Sequence, residues 1–166
     1  MTRAIMTDLL ARSVEWWTAL YSNHAVLRTV VVFAHVGGLL GGGGCAIAAD
    51  RATLMLSTRD VGLVSAHLAS IRRAHRVVLG GLIAICISGV LLLAADLETY
   101  LASGIFWTKM SLVGALLVNG AFLVRVERLA QSGGGRGWSR IRQAAALSLL
   151  LWFLTTLLGT ALPNVG

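Results

Sequence analysis

The sequence predicts an all-α fold: a polytopic membrane protein built as a four-transmembrane-helix bundle, with an N-terminal amphipathic helix lying at the interface. Three observations predict it. The 166-residue chain is 57% hydrophobic and only 13% charged, with a mean hydropathy of +0.80, far more apolar than an ordinary soluble domain. Four uncharged or nearly uncharged runs, residues 26–49, 77–95, 104–124 and 144–162, are each long enough to cross a bilayer as a helix. The arginines gather in the segments between these runs. The spans leave little room for a second unit, so residues 1–166 are expected to form a single integral membrane domain.

Residues 4–22 mix Ile5, Leu9, Leu10, Trp16, Trp17, Leu20 and Tyr21 with Arg3, Asp8, Arg12 and Glu15. This is too polar to span, and Trp and Tyr favour the headgroup zone, so the segment reads as an interfacial helix or as a helix packed on the end of the bundle. It lacks the apolar core and small-residue cleavage site of a secretory signal. The first span holds His35 and the run Gly41-Gly42-Gly43-Gly44. Gly38 and Gly42 follow His35 on one helical face and leave the backbone bare there.

After Asp50-Arg51, the positions Leu54, Val61, Val64, Leu68 and Ile71 recur at helical spacing among Arg59, Arg72, Arg73 and Arg76, which predicts a surface helix before the second span. Asp96, Glu98 and Tyr100 form an acidic turn. The third span opens Trp107-Thr108-Lys109, carries Asn119 deep within, and is expected to stop at Arg125, Glu127 and Arg128. A flexible glycine-rich turn at 131–137 leads to Trp138, Arg140 and Arg142, and the last span is expected to end against Pro163.

Segments 50–76 and 125–143 hold ten arginines, whereas the turn at 96–104 and the C-terminal tail hold none. By the positive-inside rule the arginine-rich segments face the cytoplasm of a bacterial-type inner membrane, and both termini face outward. The net charge of +7 is then a matter of lipid and topology, and no nucleic-acid partner is needed. Cys45 and Cys86 fall inside different spans, where they read as small apolar residues.

His35 and Lys109 enter from the same side, about 9 and about 5 residues deep at roughly 1.5 Å per residue, so they can approach one another. An ionisable residue inside a span points to a partner, a cavity or a function. His35 has two readings: a histidine hydrogen-bonded within the bundle, or an axial ligand of haem iron, with Gly38 and Gly42 clearing space for the macrocycle. Lys109 either faces the interior, where it contacts an acidic ligand group, or snorkels outward. The glycine face equally suits helix packing, within the chain or against a second copy or a partner subunit. Asn119 and the row Ser148, Trp152, Thr155 or Thr156, and Gly159 read as interhelical bonding and packing positions. Phosphate-cradling glycine motifs in a strand-helix context, metal-spaced Cys/His sets and Ser-His-Asp constellations are absent from the sequence. A paired-carboxylate site is not expected, because every Asp and Glu falls at a helix end or in a loop.

His35 in the first span, together with Trp107-Thr108-Lys109 opening the third, resembles the small four-helix membrane proteins of the HemJ-type protoporphyrinogen oxidase and CopD-like group. The resemblance implies a haem b- or porphyrin-binding redox protein, either an oxidoreductase acting on protoporphyrinogen through His35 and Lys109 or a b-type electron carrier. The alternative is a non-catalytic membrane subunit or scaffold that packs through the Gly38/Gly42 face, and the residues leave open whether the chain is an enzyme. The expected topology has a direct check. Reporter fusions placed after Gly135 and after Gly166 should report opposite sides of the membrane, and the same side for both would remove the last span or its orientation.

Overall fold

The computed structural model describes residues 2–56, 61–131 and 137–165, with side chains described for 12–56, 66–67, 69–71, 73–128, 138–162 and 164. The chain order is α1 (Thr2–Asn23), α2 (Ala25–Gly38), a π-helical turn (Leu39–Gly43), α3 (Gly44–Met55), α4 (Val61–Ala95), α5 (Leu97–Ala102), α6 (Gly104–Gln131) and α7 (Gly137–Val165). No strand occurs among the described residues. Four helical stretches, Ala25–Met55, Ala69–Ala95, Gly104–Arg128 and Trp138–Leu162, are long and apolar enough to cross a membrane. Large apolar side chains such as Val26, Phe33, Leu40, Leu79, Ile87, Val118 and Phe153 remain exposed on them, a surface that suits lipid far better than water.

The first long stretch holds the bundle together by facing two helices at once. Its α2 half and the π-turn lie on α4, while its α3 half lies mainly on α7, which in turn pairs with α6. The glycines explain the switch. Gly42 meets Gly81 of α4 so closely that a Cβ on Gly81 would lie 2.5 Å from Gly42 Cα, and a Cβ on Gly38 would lie 2.9 Å from the Gly81 carbonyl oxygen. The wider π-turn then presents the next residue, Gly43, to the ring of Trp152 on α7. Trp152 is the centre of one apolar cluster with Ala46, Leu116 and Leu151, and Leu123, Val126, Ile141 and Ala144 form a second between α6 and α7.

Helix boundaries differ from the expected spans where polar residues find partners inside the bundle. The predicted surface helix and the second span are one helix, α4, because nothing between Ile71 and Gly80 breaks it. Helix α6 does not stop at Arg125 but continues to Gln131, since Val126 and Glu127 turn inward, only 3% and 8% exposed. Helix α7 continues past Pro163 to Val165. The acidic turn contains the short α5, and Ser103 then caps α6, its hydroxyl accepting from the Phe106 amide at 3.4 Å. Helix α1 packs on the end of α4: Trp17 Nε1 donates to the Leu91 carbonyl at 2.9 Å and Thr18 Oγ1 to that of Ala94 at 3.2 Å.

Asn119 bonds between helices as expected, its Nδ2 donating to the Ala144 carbonyl at 3.0 Å. Of the α7 row, Ser148, Trp152 and Thr155 are all buried, but Thr155 Oγ1 has no hydrogen-bond partner among the described residues and Thr156 Oγ1 donates within its own helix, to the Trp152 carbonyl at 2.8 Å. One expectation fails: Asp50 is not at a helix end but inside α3, 5% exposed and hydrogen-bonded to Ser148 of α7. Glu127 is the second buried carboxylate. The positions Arg59, Asp60 and 132–136 lie outside the described residues. The side chains of Arg3, Ile5, Asp8, Leu9, Leu10, Val61, Val64, Leu68, Arg72 and Pro163 do so too.

The glycine contact generates a matched pair of variants. Gly81→Ala must push backbone against backbone and should destabilise the bundle by about 1 to 3 kcal/mol. Gly80→Ala points into open space and should be neutral or mildly stabilising. Thermal unfolding of both proteins in the same detergent checks the contrast.

Candidate functional site at the arginine-rich end

Four chain segments meet at the end of the bundle where the arginines gather. Helix α3 stops at Met55 because Leu56 turns extended, leaving carbonyls of its last turn without helical donors. The Ala52 carbonyl accepts from the Leu56 amide at 3.1 Å. The Leu54 carbonyl accepts from Arg142 Nη2 on α7 at 3.2 Å, a cation placed where a helix C-terminus favours one.

The side chains behind this cap form a second tie. Thr53, 2% exposed, donates its hydroxyl proton to the Ala49 carbonyl at 2.9 Å. Its oxygen is therefore the acceptor for His67 Nε2 of α4, also at 2.9 Å, so Nε2 carries the hydrogen. The His67 ring stands edge-on to Trp138 of α7 at 6.3 Å. Burial lowers the pKa of His67 below its usual value, so the neutral ring is favoured here. His67 does not stand out in the sequence, because nothing in the pattern shows that Thr53 and Trp138 converge on it.

Around this tied centre the charges are one-sided. Arg51, Arg73, Arg76, Arg125, Arg128, Arg140 and Arg142 are exposed, whereas Asp50 and Glu127 are buried. The exposed described acids, Glu15, Asp96 and Glu98, belong to α1 and the α4–α5–α6 turn at the opposite end. Fixed cations on an ordered framework suit recognition of an acidic surface and steer its approach.

The residues singled out from sequence lie elsewhere. His35 Nδ1 meets Ser88 Oγ at 3.0 Å, and Lys109 extends toward Gly159 of α7 rather than away from the bundle. The two are near enough for the charge of Lys109 to be felt at His35. Gly38 and Gly42 face Gly81, so the space beside them is filled by the backbone of α4. Among the described residues no group of three or more His, Cys, Asp or Glu is placed to hold a metal ion. Cys45 and Cys86 are both free thiols.

Residues 57–165 match the family model described as NrsF, Negative regulator of sigma F. Neither a curated protein nor a solved structure matches the chain. The match covers about two-thirds of the sequence and includes the arginine-rich segment 125–143 and, of the segment 50–76, all but residues 50–56 with Arg51. It overturns the resemblance to the HemJ-type and CopD-like group, and with it the reading as a haem- or porphyrin-binding oxidoreductase or electron carrier. That resemblance rested on the order of two polar residues, and His35, Gly38 and Gly42 all precede the matched stretch.

The Thr53–His67–Trp138 tie has a pH signature. A histidine whose folded pKa is lowered binds fewer protons folded than unfolded, so stability is complete above the ordinary histidine range and falls as pH drops below about 6.5. Hydrogen exchange of the amides around 53–56 and 138–142 should therefore accelerate between pH 7 and pH 5. His67→Gln, which cannot charge, should flatten that dependence.

Proposed function

The chain belongs to the NrsF family of negative regulators of sigma F, and on that premise we propose that it is a non-catalytic, membrane-embedded regulator that holds a sigma factor against its arginine-rich end. The carrying observation is that the family match, residues 57–165, takes in α4, α6 and α7 and with them most of the exposed arginines. Four apolar helices anchor the chain in a bilayer, and the positive-inside rule sets the arginine-rich end toward the cytoplasm, where a sigma factor is met. Binding there sequesters the partner at the membrane and so keeps it from transcription. No bond is made or broken, and the work is done by affinity.

In this reading the ties between α3, α4 and α7 are what make the cations useful. Arg142 is held at the Leu54 carbonyl and Trp138 against His67, so the flanking arginines stand on an ordered platform and lose less freedom when a partner docks. The glycine-rich face, which as an alternative was expected to pack on a partner subunit, is occupied by α4 of the same chain. The partner's place is therefore the charged end.

The test is binding of purified sigma factor to the full chain in nanodiscs. Arg73→Glu with Arg76→Glu, or Arg140→Glu alone, should weaken binding at least tenfold, about 1.4 kcal/mol or more. Wild-type affinity should fall steeply with added salt. Unchanged affinity in both charge-reversed proteins would exclude this surface.

A further inference from the structure

In the half of the bundle remote from the arginines, polar groups of four helices come to one level. His35 lies ten residues into α2, Lys109 five residues into α6, Ser88 and Gly89 six to seven residues before the end of α4, and Gly159 six before the end of α7. At about 1.5 Å per residue all stand roughly 8 to 15 Å from that end.

The geometry fixes what each group offers. Ser88 Oγ donates its single proton to a backbone carbonyl, that of Ala84 at 2.6 Å, with that of Ile85 at 3.2 Å also in range. Toward His35 it is therefore an acceptor, and Nδ1 carries the hydrogen that bridges them at 3.0 Å. Gly89 makes room for the ring, since a Cβ there would lie 3.5 Å from Cε1. The ring also interacts with the Ile85 carbonyl, which lies 3.2 Å from Ser88 Oγ on the Nδ1 side, and Nε2, with no side-chain partner among the described residues, presents a lone pair.

Lys109 is the counterpart. Its ammonium lies over Gly159, where a Cβ would be 3.3 Å from Nζ. Pro163, four residues on, has no amide hydrogen to give the Gly159 carbonyl. An ammonium offers three donors, yet Lys109 makes no ion pair with a described residue. The buried carboxylates Asp50 and Glu127 sit in the other half of the bundle, and Glu15, Asp96 and Glu98, which belong to this end, are exposed and make no described ion pair with Lys109. A cation inside an apolar bundle without a counter-anion is costly, and a lysine retained there calls for an anion from outside.

We propose that this level is a binding site for a protonated phosphate group, either a phosphomonoester lipid headgroup or free hydrogen phosphate. Lys109 takes an ionised oxygen and His35 Nε2 accepts from the P–O–H. A phosphomonoester near neutral pH carries both kinds of oxygen, because its second ionisation falls near 6. The site is argued from this chain's own residues and does not rest on the sigma-regulator reading.

The experiment uses the full chain with ¹⁵N-labelled histidine in phosphatidylcholine nanodiscs, with the His35 resonance identified by its loss in His35→Gln. Two probes are compared: discs containing phosphatidic acid, and inorganic phosphate titrated into plain discs. The His35 Nε2 resonance should move with at least one of them, and the probe that moves it names the source of the anion. In Lys109→Met and Lys109→Gln the apparent affinity for that probe should fall tenfold or more while helix content stays the same. A resonance unmoved by both probes, or a shift that survives both Lys109 variants, overturns the site.

Discussion

The backbone approach of Gly42 to Gly81 is the constraint on which the other contacts depend. Apolar helices in lipid gain little from hydrophobic burial against one another, so they associate where small residues let backbones pack closely. Here a single crossing brings α2 and α4 into van der Waals contact and fixes the axial level at which the π-turn begins. Because that turn follows at once, the same stretch that lies on α4 above the crossing lies on α7 below it. Trp152 fills the corner thus created. A side chain at either glycine would move both halves of the first span.

The polar groups divide between the two halves that this crossing separates. Below it, Asp50–Ser148, Asn119–Ala144, Thr53–His67 and Arg142–Leu54 tie α3, α4, α6 and α7 together just beneath a cationic surface. Above it, His35–Ser88 joins α2 to α4, and Lys109 over Gly159 joins α6 to α7. Each tie spends a side-chain donor on a group that lipid could not satisfy. The first span takes part in both sets, and its π-turn lies between them. Turns of this kind weaken regular i to i−4 bonding, so any movement of α2 relative to α3 would be concentrated there.

Some of the site was legible in advance and some was not. Asn119 and the Ser148–Trp152–Thr155 row are readable because polar or bulky residues at helical spacing inside a long apolar run have few places to go. His35 and Lys109 stand out for the same reason, and they do share one half of the bundle. The family they pointed to was wrong, since a histidine and a lysine in order are few constraints in a chain of Leu, Ala, Val and Gly, and the match over residues 57–165 is to a different family. Asp50 and Glu127 were assigned to helix ends because charge usually marks the edge of a span. Both instead lie inside helices that continue past them.

The class was readable from the chain alone: run length and apolar content give helices long and apolar enough to cross a membrane, and the spacing of arginines marks one end of the bundle as cationic. These are properties of local windows, in which each residue's transfer free energy adds to its neighbour's. The packing of the helices settles which glycine face meets which helix, that Gly42 and Gly81 touch while Gly41 and Gly80 face open space, and that Thr53, His67 and Trp138 converge from three helices. Those outcomes depend on how helices rotate and slide against one another. That is set by close packing at a few points far apart in the chain, and no window of sequence contains both sides of such a contact.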